Sequence, residues 1–280
     1  MRELNLEKVT EKVKSTLIRI NHELDDSLVA AFNRAKDKEK SDLSRSILED
    51  IIENQAPCQK RDPVPLCQDT GMVVVFADIG SNIVYDGDLD DAINKGVSEA
   101  YTKGYLRKSV VNDPFDRVNT KDNTPAIIHH KIVKGDQLKL NIASKGAGSE
   151  NMSKVVMLKP SDGIEGVKQL VLDTVFDAGG KPCPPIIVGI GIGGNLEKSA
   201  LIAKEAVLRD LEDESDNDMI RQLENDLYSE INRLGVGPMG VGGETTCLAV
   251  KINTYPMHIA SLPVAINIQC HSSRHEVIVL

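Results

Sequence analysis

Apolar residues recur every three or four positions at the start of the chain: Val9, Val13, Leu17 and Ile20 share one helical face, and Asp26 to Ala35 and Leu43 to Ile52 continue at that period. The spacing predicts three helices in about the first 55 residues. Gln55 to Leu66 then carries three prolines and reads as an irregular connection. Beyond it, Met72 to Asp78 is the apolar run of a buried strand, and Asp88 to Tyr101 is a helix with acidic residues in its first turn. Ala126 to Val133 and Leu138 to Ala143 flank Gly135-Asp136, a hairpin signal. A helix over Ile164 to Phe176, a strand over Ile186 to Ile190 and two helices between Glu197 and Leu234 follow, then strands over Cys247 to Ile252 and Val264 to Ile268. Strand and helix do not alternate steadily, so the pattern predicts an α+β fold. Its expected parts are mixed sheet elements, flanking helices and an N-terminal helical segment over about residues 1–55, within one domain spanning residues 1–280. No internal repeat stands out.

Composition narrows the function classes. With 3% aromatic residues and no Trp the chain lacks the stacking platforms of a nucleic-acid binder. The longest apolar runs, Met72 to Ala77 and Pro184 to Ile192, fall short of the ~20 residues of a membrane helix, and the charged N-terminus is unlike a signal peptide. A cytoplasmic protein with neither nucleic-acid nor membrane partners is expected. The net charge of −9 is concentrated in Glu205 to Glu230, where ten Asp or Glu face only Arg209 and Arg221. That segment reads as a solvated helical face.

Five dispersed cysteines argue against a disulfide framework and turn attention to metal or catalysis. Three lie in polar, turn-forming surroundings: Leu66-Cys67-Gln68-Asp69-Thr70-Gly71, Lys181-Pro182-Cys183-Pro184-Pro185 and Gln269-Cys270-His271-Ser272. Separations of 116 and 87 residues do not fit a zinc ribbon, whose ligands come in close pairs. Three remote thiolates do suit a cubane cluster that keeps one iron open as a Lewis acid. Each cysteine also has a plainer reading as a small buried hydrophobe. Cys247, inside an apolar strand, takes that reading, and Cys58 is set aside although its spacing lets it compete with Cys67.

Gly189-Ile190-Gly191-Ile192-Gly193-Gly194 formally satisfies the dinucleotide pattern. An NAD-binding dehydrogenase is therefore one alternative. The acidic, strand-poor sequence that follows lacks the returning strand of such a unit, which favours a close-packed strand-to-helix turn. The helix N-terminus there remains suited to a carboxylate.

The cysteine motifs, together with Lys145-Gly146-Ala147-Gly148-Ser149, the Gly189 turn and Gly235-Val236-Gly237-Pro238-Met239-Gly240-Val241-Gly242-Gly243, resemble in order and spacing the alpha region of class I fumarate hydratases. The resemblance runs from about Ile51 to Arg274 and more loosely through the N-terminal helices. It implies a [4Fe-4S] cluster held by Cys67, Cys183 and Cys270, with one iron not ligated by cysteine. It implies contacts to a small dicarboxylate from Gln68, Asp69, Arg107, Gly148 and His258, and a catalytic role for Asp69. The setting Met257-His258-Ile259-Ala260 departs from the His-Gly-Ala of single-chain relatives. Each of these residues has a plainer reading as a turn residue, a solvated charge or a satisfied imidazole.

In single-chain members of the family a further domain supplies additional Lys, Arg and Thr groups. The resemblance therefore implies a separate beta subunit and an alpha–beta hetero-oligomer. The expected reaction is reversible hydration of fumarate to (S)-malate. L-tartrate dehydratase is the alternative within the same family.

Overall fold

In chain order the helices are α1 (Leu6–His22), α2 (Asp26–Lys38), α3 (Asp42–Glu53), α4 (Leu89–Lys103), the single turn α5 (Ala147–Glu150), α6 (Gly163–Ala178), α7 (Leu196–Ala206) and α8 (Asp218–Arg233). The strands are β1 (Arg2–Glu3), β2 (Met72–Gly80), β3 (Ile83–Val84), β4 (Ile127–Val133), β5 (Leu138–Lys145), β6 (Lys154–Leu158), β7 (Ile186–Gly193), β8 (Cys247–Tyr255), β9 (Leu262–Gln269) and β10 (His275–Val279). The structure, a computed structural model, describes residues 1–54 and 64–280, so Cys58 and most of the proline-bearing connection lie outside the described residues. The fold is α+β with mixed sheets, and the N-terminal helical segment is present. No helix among the described residues is long and apolar enough to cross a membrane.

The chain forms two compact units, each assembled from separated stretches. The first comprises Met1–Asp25, Asn54–Ala147 and Ser272–Leu280, and the second Asp26–Glu53 and Gly148–His271. Of the three N-terminal helices, α1 thus belongs to the first unit, and α2 and α3 to the second.

In the first unit Val73, Val75, Ala77 and Ile79 lie on one face of β2, as strand alternation requires. They pack with Val9, Val13, Leu17 and Ile20 of α1, Ile93 and Val97 of α4, and Leu138, Leu140 and Ile142 of β5. The sheet order is β10-β5-β2-β4. This corrects the expected hairpin: β4 and β5 lie on opposite sides of β2, β4 parallel to it and β5 antiparallel. The short link between them crosses the end of β2 at Gly80, whose N–H donates to the Gln137 carbonyl. A side chain at Gly80 would sit 2.7 Å from the Gly135 carbonyl oxygen, so glycine is what lets the link pass.

The second unit has the order β6-β9-β7-β8 and a core of Val171 and Val175 from α6, Leu223 and Leu227 from α8, and Val188, Val250 and Ile266 from the strands. Gly189 and Gly191 lie where α7 packs on β7, and a Cβ on either would collide with the backbone carbonyl of Ala203 or Ser199. The glycine pattern is filled by the protein's own helix. That is the close-packed strand-to-helix arrangement. The acidic run is also more than a solvated face: Glu224 is buried, pairs with Arg209 at 2.9 Å and accepts the Ile252 N–H at 2.7 Å.

The two sheets share one pattern of directions. A central strand (β2, β7) has a parallel neighbour reached through helical sequence (β4, β8) and an antiparallel neighbour on its other side (β5, β9). An edge strand pairs antiparallel with the latter (β10, β6). The edge strands are exchanged along the chain: β5 leads on to β6 in the second unit, and β9 leads on to β10 in the first.

Candidate active site

In the first unit the Cys67 loop enters β2, whose first residue Met72 pairs with Lys145 at the end of β5. Cys67 is partly exposed and Gln68 exposed. Asp69 is fixed at both oxygens: Oδ1 accepts the Gly71 N–H at 2.9 Å and Oδ2 accepts the Ala147 N–H at 2.8 Å. The Thr70 hydroxyl donates to the Arg107 carbonyl at 2.9 Å, which ties Arg107 to the same loop while its side chain stays exposed. Asn123 reinforces this link, accepting the Ser109 N–H at 2.7 Å and donating to the Gly71 carbonyl at 3.1 Å. Beneath lies Tyr101, whose hydroxyl donates to the Thr70 carbonyl at 2.6 Å and whose pKa burial pushes up to about 12, so it stays a neutral phenol. Asn21 of α1 completes the base: its carbonyl accepts the Leu66 N–H at 2.8 Å and its amide donates to the Ser144 hydroxyl at 3.0 Å. Cys67, Gln68, Asp69 and Arg107 are thus gathered at one end of one sheet.

In the second unit Cys183 precedes β7 and Cys270 follows β9, and Ile187 pairs with Gln269, so the two cysteine loops share one end of that sheet. His271 binds them together: its backbone N–H donates to the Cys183 carbonyl at 3.2 Å, and its ring Nδ1–H donates to the same oxygen at 3.0 Å. Cys183 has φ of 56°, a left-handed conformation unfavourable for a residue with a Cβ and held by these bonds. The Gln269 amide donates to the Cys270 sulfur at 3.5 Å. The glycine-rich loop backs the Cys183 loop through the Met239 N–H, which donates to the Pro184 carbonyl at 2.8 Å. Glu39, between α2 and α3, secures that loop from behind, its two carboxylate oxygens accepting the Glu244 N–H at 3.1 and 3.0 Å. Gly148 is exposed, and its Cβ position lies 3.8 Å from the Lys181 carbonyl oxygen in the same unit.

His258 is not among this group. It is an exposed turn residue between β8 and β9 whose Nδ1 accepts the Ala260 N–H at 3.1 Å. Gly193 pairs with Tyr255 at that end of the sheet, so the length of β9, roughly 25 Å at the usual rise per residue, separates His258 from Cys270 within one chain. The Gly189 turn lies at the same far end, where Asn195 caps α7 by accepting the Lys198 N–H at 2.9 Å.

The thiols divide by environment. Cys247 is fully buried, donates to the Ala249 carbonyl, and burial pushes its pKa up to about 12, which bars it from thiolate chemistry. Cys67, Cys183 and Cys270 sit on loops with at least partial exposure. Among the described residues no three His, Cys, Asp or Glu side chains are gathered as a ligand set for a single metal ion. Thiols on separate loops, each bonding its own iron, are a donor set of the kind a cluster takes. His271, Gln269, Asn21 and Arg274 escaped the sequence reading. Adjacency to Cys270 was the signal for the first two, whereas nothing local marks Asn21.

The fold is α+β, and within each unit the cysteine loops lie at strand ends. Residues 10–279 match the family model described as Fumarate hydratase (Fumerase), and the chain belongs to that family. It is 44% identical over 254 residues to the "Putative L(+)-tartrate dehydratase subunit alpha" of Methanocaldococcus jannaschii, covering 88% of each chain. It is 30% identical over 271 residues to the L(+)-tartrate dehydratase subunit alpha of Escherichia coli (strain UTI89), covering 95% of this chain and 89% of that one.

Proposed function

We propose that the chain is the alpha subunit of an iron–sulfur hydro-lyase that dehydrates L(+)-tartrate and acts with a separate beta subunit. The observation that carries the substrate is the 44% identity, over 88% of both chains, to a relative named for tartrate. The fumarate reaction expected first becomes the second reading, favoured by the description of the family model. Both readings use one reaction type on a hydroxy dicarboxylate, tartrate or malate: a C–H bond and the neighbouring C–O bond break, the proton and hydroxide depart as water and a C=C bond forms, and hydration of fumarate is the reverse.

Cys67, Cys183 and Cys270 would hold the [4Fe-4S] cluster, which when bound supplies an iron without a cysteine ligand as a Lewis acid toward the departing hydroxyl. Arg107, exposed and tied by its backbone to the Asp69 loop, clamps a substrate carboxylate through its planar fork. Asp69, immobilised by two backbone N–H groups, is placed to exchange a proton with the substrate hydroxyl, and Gln68 beside it to donate to a carboxylate. Gly148 offers close backbone approach. His258, at the opposite end of its sheet, is not assigned a contact to a ligand held at Cys270 of the same chain. The residues described offer no second base on the substrate carbon, and that base is assigned to the beta subunit.

The test is kcat/KM of the cluster-loaded chain on L(+)-tartrate and on fumarate, with and without the beta-type chain. Turnover by the pair, faster on tartrate, with negligible turnover by this chain alone, is expected. Faster hydration of fumarate would select the second reading. Equal rates with and without beta would place the base within this chain.

A further inference from the structure

The second unit holds a largely buried cation, Lys204, and answers it: Glu150 forms an ion pair with it and also accepts from the Asn267 amide at 3.1 Å. The first unit holds a more deeply buried cation, Arg274, at 3% exposure, and among the described residues no carboxylate forms an ion pair with it. Nη1 donates to Asn21 Oδ1 at 3.0 Å, Nε is buried without a hydrogen-bond partner, and among the described residues Arg274 enters no ion pair. Burying a guanidinium with one neutral partner is unfavourable, and such a group persists where its charge has work to do.

Its surroundings say what that work is. Gly146 separates Arg274 from Asp69: a Cβ there would lie 3.6 Å from Arg274 Nη2 and 3.2 Å from Asp69 Oδ2. Both charges act on the Tyr101 phenol with opposite sign, so they lie in one electrostatic neighbourhood. Asp69 cannot turn to meet the guanidinium, because Gly71 and Ala147 hold both its oxygens. The two charges are kept near each other but not bonded.

We infer that Arg274 is a positioning residue that offsets the Asp69 charge so that a doubly negative dicarboxylate can enter beside it. The inference rests on the hydro-lyase function proposed above. An unopposed Asp69 would repel such a ligand over the few ångströms involved, and a fixed positive charge behind Gly146 cancels that repulsion without occupying the carboxylate oxygens. The predicted signature is a defect in ground-state binding rather than in the chemical step.

The experiment uses the cluster-loaded alpha–beta enzyme and separates charge from hydrogen bonding. Arg274→Gln keeps an amide donor toward Asn21 but removes the charge, whereas Arg274→Lys keeps the charge and loses the fork. For Arg274→Gln, KM for the dicarboxylate turned over should rise about tenfold or more while kcat changes less than about threefold. Arg274→Lys should keep KM within about threefold of wild type, and iron content should be unchanged in both. An unchanged KM in the Gln variant overturns the inference, and so does a Lys variant as impaired as Gln. Should the Gln variant fail to fold, the Lys variant decides by the same limit. A wild-type enzyme that turns over neither L(+)-tartrate nor fumarate defeats the function itself, and the inference falls with it.

Discussion

The two units run their four strands in the same pattern of directions, and each passes its chain to the other beside its cysteine loops. They differ in how they treat a buried cation near that passage. Lys204 in the second unit is neutralised by Glu150, and its pKa is lowered by burial, which the Glu150 charge only partly opposes. Among the described residues, Arg274 in the first unit forms no ion pair. The ion pair ties α7 to α5, whereas the charge at Arg274 is the one inferred to serve ligand binding. Two units with one pattern of strand directions thus treat a buried cation differently.

The comparison is broken most sharply at Arg107. Arg107→Lys should lower kcat/KM of the alpha–beta enzyme by about a hundredfold, because an ammonium cannot make the two-pronged carboxylate contact. Iron content measured on the same sample should not change. An unaltered kcat/KM would return Arg107 to the ordinary charged surface.

Substitutions at the paired cation should instead act on stability. Glu150→Gln leaves Lys204 buried without its counter-charge and should cost about 2–3 kcal/mol in urea unfolding, more than Lys204→Met, since Glu150 is the better solvated partner. The reverse order would show that Glu150 carries the burden. Gly191→Ala should cost about 1–3 kcal/mol by forcing α7 off β7, and titration with NAD should give no binding to the wild-type chain. Measurable NAD affinity would reopen the dehydrogenase alternative.

The smallest effect concerns pH. The folded-state pKa of Lys204 lies below its ordinary 10.5, so the unfolded chain binds more protons between the two values and stability rises with pH across that interval. Lys204→Met should flatten that rise, seen as the difference between the two unfolding free energies. A difference independent of pH up to 10.5 would contradict the burial of the ammonium.

The legible parts of the fold were those set by local pattern. Val9, Val13, Leu17 and Ile20 announce α1, and the run beginning at Val73 announces β2, because a buried face imposes its period on the sequence. The pairing of β4 was not legible: the loop signal at Gly135-Asp136 is real, but β2 inserts between the strands that flank it, and nothing local encodes a partner some fifty residues upstream. β6 and β10 went unread because they are short, half-exposed edge strands without a clean alternation. In the site, the cysteines were visible through their turn-forming neighbours. Asn21, Arg274 and Glu39 were not, since their roles arise only when residues distant in sequence are packed against the loops.

Iron and acid-labile sulfide per chain after anaerobic reconstitution test the central claim most directly, read beside the Cys67→Ser, Cys183→Ser, Cys270→Ser and Cys247→Ser variants. About four of each per chain are expected in the wild type, with most lost in each of the first three variants and retained in Cys247→Ser. Full iron in Cys183→Ser, or its loss only in Cys247→Ser, would contradict the assignment of the cluster to the loop cysteines.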